Sequence, residues 1–223
     1  MLKLGKLYIV ATPIGNPLDI TLRAIETLKS ADAVICEEFR QGSALMKRLE
    51  ITGKELLQLN EHNQVDAVPE LLMRLINGQT LALVTDCGTP VFADPGHSLI
   101  QSATESGIQV VPIPGASSLM AALSVLDFQP EKFYFAGFLS PKPDQRRQEL
   151  MRLRVMRIPV VLMDTPYRLA ALLQDAAKAF GRDHYATLAA DLTLPNERIY
   201  RGTLGEIIQQ VGPRKAEFIL IVH

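Results

Sequence analysis

The stretch Val10-Ala-Thr-Pro-Ile-Gly-Asn-Pro-Leu-Asp-Ile-Thr-Leu-Arg-Ala24 decides how this chain folds. An apolar run, Leu7 to Val10, stops at a turn holding two prolines and one glycine, and a helical pattern opens at Asp19. A strand that ends in such a turn and passes into a helix reads as an α/β unit. Units of this kind hold ligands at the carboxyl edge of a parallel sheet. The turn is not a phosphate loop. No Lys-Ser/Thr pair follows the glycine, and G-x-G-x-x-G cannot be fitted because Gly15 stands alone. It reads as a rigid two-proline floor for a ligand that is not held by its phosphates.

Apolar runs and helical patterns alternate outward from this stretch. In the first half, strands are predicted at Leu7–Val10, Ala33–Cys36, Leu56–Leu59, Leu81–Thr85 and Val110–Ile113. Helices fall between them at Leu22–Ser30, Ser43–Leu49, Val68–Ile76 and Ser98–Glu105, with Asn77-Gly78 as a C-terminal stop. This alternation predicts a parallel sheet with helices on both faces. The second half has a different texture. Helices at Ser117–Leu126, Gln145–Arg157, Tyr167–Phe180 and Leu204–Val211 are interspersed with strands at Phe133–Phe138, Val160–Met163, Ala186–Ala190, Ile199–Leu204 and Phe218–Val222. The short connection from Ala190 to Ile199 predicts antiparallel pairing, hence a mixed sheet. Pro112-Ile-Pro-Gly115 stiffens the crossing and divides the chain into an α/β domain over 1–113 and a second over 114–223.

Composition narrows the function. At 223 residues and 48% hydrophobic content, the chain can bury the core of one large soluble α/β domain or two small ones. A formal net charge of -1 supplies no global attraction to nucleic acid, so any such contact must come from a local patch. No apolar stretch approaches the ~20 residues of a membrane span, and the short run before the first turn predicts no signal peptide. Cys36 and Cys87 make neither a disulfide framework nor a metal site, and His62, His97, His184 and His223 lack ligand spacing. A metal-independent cytoplasmic protein is expected.

Three further turns follow strand ends. In Thr85-Asp-Cys-Gly-Thr-Pro-Val-Phe-Ala-Asp-Pro-Gly96, Asp86 stands where a carboxylate can bind ribose hydroxyls or an ammonium group. Asp86 and Asp94 can equally cap turns. Pro114-Gly-Ala-Ser-Ser118 opens a helix with free N–H groups or is an ordinary serine cap. Met163-Asp-Thr-Pro-Tyr-Arg168 is the third. With Thr12–Asn16 these make four turns that can converge on one cleft between two domains.

Other candidates have two readings each. Cys87 reads as a nucleophile or as a small buried thiol, with no nearby histidine to activate it. Glu37-Glu38 and Arg40 face the same cleft or open a solvated helix. His62, in Glu61-His-Asn63, is a base or a turn residue. Lys142, Arg146, Arg147, Arg152, Arg154 and Arg157 form the densest basic cluster, either an RNA-backbone contact or a solvated helix face.

At these turns the chain resembles the tetrapyrrole (corrin/porphyrin) methylase family, and within it the branch of small-subunit ribosomal RNA 2'-O-ribose cytidine methyltransferases. The residues that carry the resemblance are Ala11-Thr-Pro-Ile-Gly-Asn16 with Asp19-Ile-Thr-Leu-Arg-Ala24, Glu61-His-Asn63, Asp86-Cys-Gly-Thr-Pro90 with Asp94-Pro-Gly96, and Pro112-Ile-Pro-Gly-Ala-Ser117. Gly137-Phe-Leu139 with Arg146-Arg147, and Thr165-Pro-Tyr-Arg168, continue it. The resemblance implies two α/β domains of the tetrapyrrole methylase type with S-adenosylmethionine folded into the cleft between them, in a homodimer. Carried over by motif position, Ile14, Asp86, Thr89, Ser117, Ser118, Met163 and Leu192 are the expected cofactor contacts. Pro13, Gly15, Asn16, His62, Arg146 and Arg147 are expected on the substrate side, and rRNA or the small ribosomal subunit as partner. Glu38, oriented by Arg40, is the candidate base for a ribose hydroxyl.

The chain departs from the branch in places. The usual A-E-D-T-R is Cys36-Glu-Glu-Phe-Arg40 here, E-S-P-H-R is Asp164-Thr-Pro-Tyr-Arg168, and R-E-L-T-K is Ala190-Asp-Leu-Thr-Leu194. The small C-terminal domain often found in the branch is not expected after His223. These differences keep two alternatives open: methylation of a tetrapyrrole or other small molecule, and a non-catalytic cofactor-binding module.

Overall fold

The computed structural model describes residues 3–91 and 95–223, so Asp94 lies outside the described residues. The chain divides into two units, Met1–Ser117 and Ser118–His223; the proline-rich crossing had suggested a boundary four residues earlier.

Strict alternation builds the first unit. In β1 (Lys6–Val10), Leu7 and Ile9 enter one apolar cluster while Tyr8 and Val10 enter another. Both β2 (Ala33–Cys36) and β4 (Leu81–Val84) are buried at every residue and alternate in the same way, as strands covered on two faces must. With β3 (Glu55–Gln58) and β5 (Gln109–Ile113) they form an all-parallel sheet in the order β3-β2-β4-β1-β5. The helices α1 (Leu22–Ser30) and α2 (Phe39–Arg48) bring Ala24, Leu28 and Met46 to one face. On the other, α3 (Gln64–Ile76) and α4 (His97–Glu105) bring Val68, Leu71, Leu75, Leu99 and Ala103.

Two helices start earlier than their hydrophobic pattern predicts. Glu38, in extended conformation, precedes α2 without a side-chain cap bond, so no Ser/Thr/Asp/Asn signal marks that start. Pro69 sits inside α3, past its first turn, where it has no N–H to give the Val65 carbonyl.

In the second unit the sheet order is β6-β7-β10-β8-β9, over β6 (Tyr134–Phe138), β7 (Val160–Asp164), β8 (Tyr185–Ala190), β9 (Arg198–Thr203) and β10 (Phe218–Val222). Only β6 and β7 run parallel; the other pairs are antiparallel, which gives the mixed sheet expected. A register shift between Phe135 and Gly137 bends β6, and Gly137 takes φ +62° there. The long helices α6 (Pro143–Arg154), α7 (Leu169–Phe180) and α8 (Leu204–Val211) cover one face of this sheet. The short α5 (Ser118–Ser124) covers the other through Ala122.

Candidate active site

All five strands of the first sheet run the same way, so their carboxyl ends deliver five loops to one edge. The strand order reverses at β1, which lies between β4 and β5, so the loops after these three strands are neighbours at the switch point. Hydrogen bonds lace them together. The Ala11 amide donates to the Ile113 carbonyl at 3.1 Å and the Thr12 amide to the Gly88 carbonyl at 2.8 Å. Thr12 Oγ1, buried, donates to the Thr85 carbonyl at 3.2 Å, and Thr89 Oγ1 donates to Ala116 at 3.1 Å. Gly88 holds φ +83°, and a Cβ there would stand 3.2 Å from the Ile14 side chain. The opening turn is thus a rigid wall, and its own Asn16 caps the short helix Pro17–Asp19 by accepting from the Leu18 amide at 3.0 Å.

Behind this wall lies a cavity of about 210 Å³. Thr12, Pro13, Ile14 and Gly15 of the first loop line it, with Val84, Thr85, Asp86 and Cys87 at the end of β4 and Gln41, Ala44, Leu45 and Arg48 of α2. Cys36 reaches it from the end of β2. Its thiol is pushed up to about 11, first by burial, then by the carboxylates of Asp86 and Glu38. That shift records a geometric fact: both carboxylates, from two adjacent strand ends, act on one buried sulfur. Asp86, Glu38 and Arg40 are themselves exposed. Cys87, read from sequence as a buried thiol or a nucleophile, is exposed, and its Sγ lies 3.5 Å from the Ile14 carbonyl.

The Glu61-His62-Asn63 segment builds its own turn. Asn60 Oδ1 accepts from the His62 and Asn63 amides at 3.0 and 3.1 Å, and Asn63 Nδ2 donates to the Gln58 carbonyl at 3.1 Å. The His62 ring is solvent-exposed, 3.5 Å from Glu61 Oε1.

In the second unit, Ser118 opens α5 and Met163 is half-buried in β7. Leu192 lies in a loop where Asp191 and Thr193 take φ +50° and +64°. Asp191 holds that loop: its carboxylate accepts from Arg214, from Asn196 Nδ2 at 2.7 Å and from the Glu217 amide at 3.1 Å. Sequence reading did not find Arg214, because it stands 23 residues from its partner. Asp164 similarly ties its turn, accepting from the Thr165 amide and from Arg168 Nη2, each at 2.7 Å.

The basic helix α6 is only partly an open face. Arg146, expected on the substrate side, is 4% exposed, and its Nε and Nη2 donate to Asp175 Oδ2 at 3.0 and 2.6 Å. A guanidinium neutralised inside the core is a structural group, so Arg146 leaves the set open to a substrate. Arg147 stays half-exposed, 3.4 Å from Asp175 and 3.5 Å from Asp144, and Arg154 donates to the Ala179 carbonyl at 3.1 Å. Lys142, Arg152 and Arg157 remain exposed. Among the described residues no His/Cys/Asp/Glu group is arranged to hold a metal ion, and no helix is long and apolar enough to cross a membrane.

Residues 6–208 match the model of the tetrapyrrole (corrin/porphyrin) methylases. The chain belongs to that family. The matched span contains every candidate site residue and most of both units, and membership makes the chain a methyltransferase. It is 39% identical over 221 residues to the ribosomal RNA small subunit methyltransferase I of Synechocystis, covering 98% of this chain and 79% of that one. The protein of the same name from Halalkalibacterium halodurans is 40% identical over 221 residues, with 98% and 76% covered. A solved structure, the uroporphyrin-III-C-methyltransferase of Thermus thermophilus, shares the fold at a TM-score of 0.67 and 21% identity, covering 98% of this chain and 94% of that one. The two α/β units described above are therefore the methylase fold.

Proposed function

We propose that this methylase transfers a methyl group from S-adenosylmethionine to the 2'-hydroxyl of a ribose in small-subunit ribosomal RNA. The observation that carries the RNA acceptor is the similarity along 98% of the chain to proteins named ribosomal RNA small subunit methyltransferase I; the ribose 2'-hydroxyl follows from the resemblance of the motifs. The chemistry of the switch-point loops is compatible with the cofactor. It carries a ribose diol, an ammonium group and an adenine ring, and the first unit offers the Asp86 carboxylate, the Thr89 and Ser117 hydroxyls and the apolar Ile14. In the second unit Ser118, Met163 and Leu192 are the proposed contacts.

When bound, S-adenosylmethionine supplies an electrophilic methyl group, so that one in-line displacement forms an O–C bond and breaks the C–S bond. The protein's share is to position the hydroxyl and accept its proton. Glu38 is the proposed base. It precedes α2 with its carboxylate uncommitted to capping, close enough to Cys36 to perturb its thiol. Arg40, two residues further on and exposed, is the proposed group to orient it once the acceptor is bound. Pro13, Gly15, Asn16, His62 and Arg147 complete the proposed substrate side. The same reading takes the protein as a cytoplasmic homodimer.

The test is to offer labelled S-adenosylmethionine with small ribosomal subunits from cells lacking the protein, and separately with a tetrapyrrole acceptor. Label in the RNA supports the reading, and label in the tetrapyrrole replaces it with the small-molecule alternative. Binding of the cofactor without transfer to either leaves a non-catalytic module. In the active enzyme, E38Q is expected to lower kcat by about 100-fold or more with cofactor affinity unchanged.

A further inference from the structure

The cavity beside α2, about 210 Å³, is below the ~300–1,000 Å³ usual for a whole drug-sized ligand, so it takes one flat group of a ligand rather than all of it. Gln41, Ala44, Leu45 and Arg48 recur at helical spacing and present one face of α2 to the cavity. That face is pinned, because Gly42 packs so closely on β2 that a Cβ would stand 2.6 Å from Cys36 Sγ. Its lining is mixed: the apolar Ile14, Leu45 and Val84 stand beside the polar Thr12, Gln41, Arg48, Thr85 and Asp86. Among the described residues no carboxylate pairs with Arg48 within 4.0 Å.

We propose that this cavity seats the base of one unstacked nucleotide of the RNA acceptor, with Arg48 on a flanking phosphate and Gln41 on the edge of the base. The inference rests on the RNA reading given above. Ile14, Leu45 and Val84 offer apolar contact to a flat ring, and the polar groups beside them offer partners to its edge, as enzymes acting on single nucleotides require once the nucleotide has left its stack. An amide presents a donor and an acceptor in one plane, which suits a base edge. An unpaired guanidinium suits a phosphate. Arg48 and Gln41 thus select the substrate without taking part in the proton transfer assigned to Glu38.

The experiment compares wild-type enzyme with R48Q, R48K and Q41L on small ribosomal subunits over a range of salt. R48Q is expected to raise KM for the subunits about tenfold at unchanged kcat, and to flatten the slope of log affinity against log salt by about one. R48K keeps the charge and the slope. Q41L raises KM with the slope unchanged. Cofactor affinity, measured by calorimetry, stays at the wild-type value in all three. An R48Q enzyme with wild-type KM and slope overturns the inference, and so does one that loses cofactor affinity instead. Wild-type enzyme that labels no subunit RNA fails at the RNA reading itself and takes this inference with it.

Discussion

The Thr12 amide donates to the Gly88 carbonyl at 2.8 Å, so the first loop of the chain is fastened to a loop 76 residues away. The Thr12 hydroxyl reinforces this by donating to Thr85, and Gly88 takes a left-handed conformation to present its carbonyl. Thr12→Val removes the buried hydroxyl bond at constant shape and is expected to cost about 1 kcal/mol of stability. Gly88→Ala forces an L side chain to φ +83° against Ile14 and is expected to cost roughly 1–2 kcal/mol. Urea unfolding measures both, and both variants are expected to bind S-adenosylmethionine more weakly.

The contact between α2 and β2 has no slack. Gly42→Ala places a methyl 2.6 Å from Cys36 Sγ, and overpacking of this kind costs about 1–3 kcal/mol. Removing the sulfur takes away the closest contact and leaves only the Cys36 Cβ at 3.0 Å, so the Gly42→Ala/Cys36→Ala double variant is expected to lose less than the sum of the two single changes. Strict additivity of the two changes in thermal unfolding would contradict this packing.

Arg146 and Asp175 form a buried pair in the second unit, with side chains 4% and 8% exposed. Arg146→Ala leaves a carboxylate stranded in the core and is expected to cost about 3–5 kcal/mol. Arg147→Ala, at a half-exposed group, is expected to cost less than about 1 kcal/mol. Equal losses on denaturant unfolding would contradict the assignment of Arg146 to the core.

The Cys36 thiol carries a pH signature. Its folded value of about 11 lies above the ordinary 9.0, because burial and then the carboxylates of Asp86 and Glu38 disfavour the thiolate. The unfolded chain therefore releases this proton first as pH rises, and stability attributable to Cys36 is expected to fall between pH 9 and 11. Cys36→Ala removes that component. At pH 8, alkylation of the native protein is expected to modify Cys87, which is exposed, and to spare Cys36.

Much of this architecture was legible in the amino-acid order. The apolar run into Thr12-Pro-Ile-Gly15 marked the first strand and its ligand-facing turn, because strand, turn and helix each leave local signals. The antiparallel partnership of the strands around Ala186 and Ile199 followed from their short connection. The start of α2 was not legible, since Glu38 lacks a capping side-chain bond. Nor was the fate of Arg146: six basic residues in 16 positions look like one surface, and only Asp175, a turn inside α7, shows that one of them is a core group. Arg48 was passed over for a related reason. Lys47-Arg48 reads in the sequence as the ordinary basic end of a helix, and the place of Arg48 on the cavity lining exists only once α2 is laid against the sheet.

The most direct test of the account is the chemical position of the transferred methyl group. Small-subunit RNA labelled by the enzyme is hydrolysed in alkali, which cuts beside a free 2'-hydroxyl and spares a linkage whose 2'-oxygen is methylated. The account predicts that the label appears in an alkali-stable dinucleotide and disappears in the E38Q enzyme. Label released as a mononucleotide, or carried on a base, would contradict it.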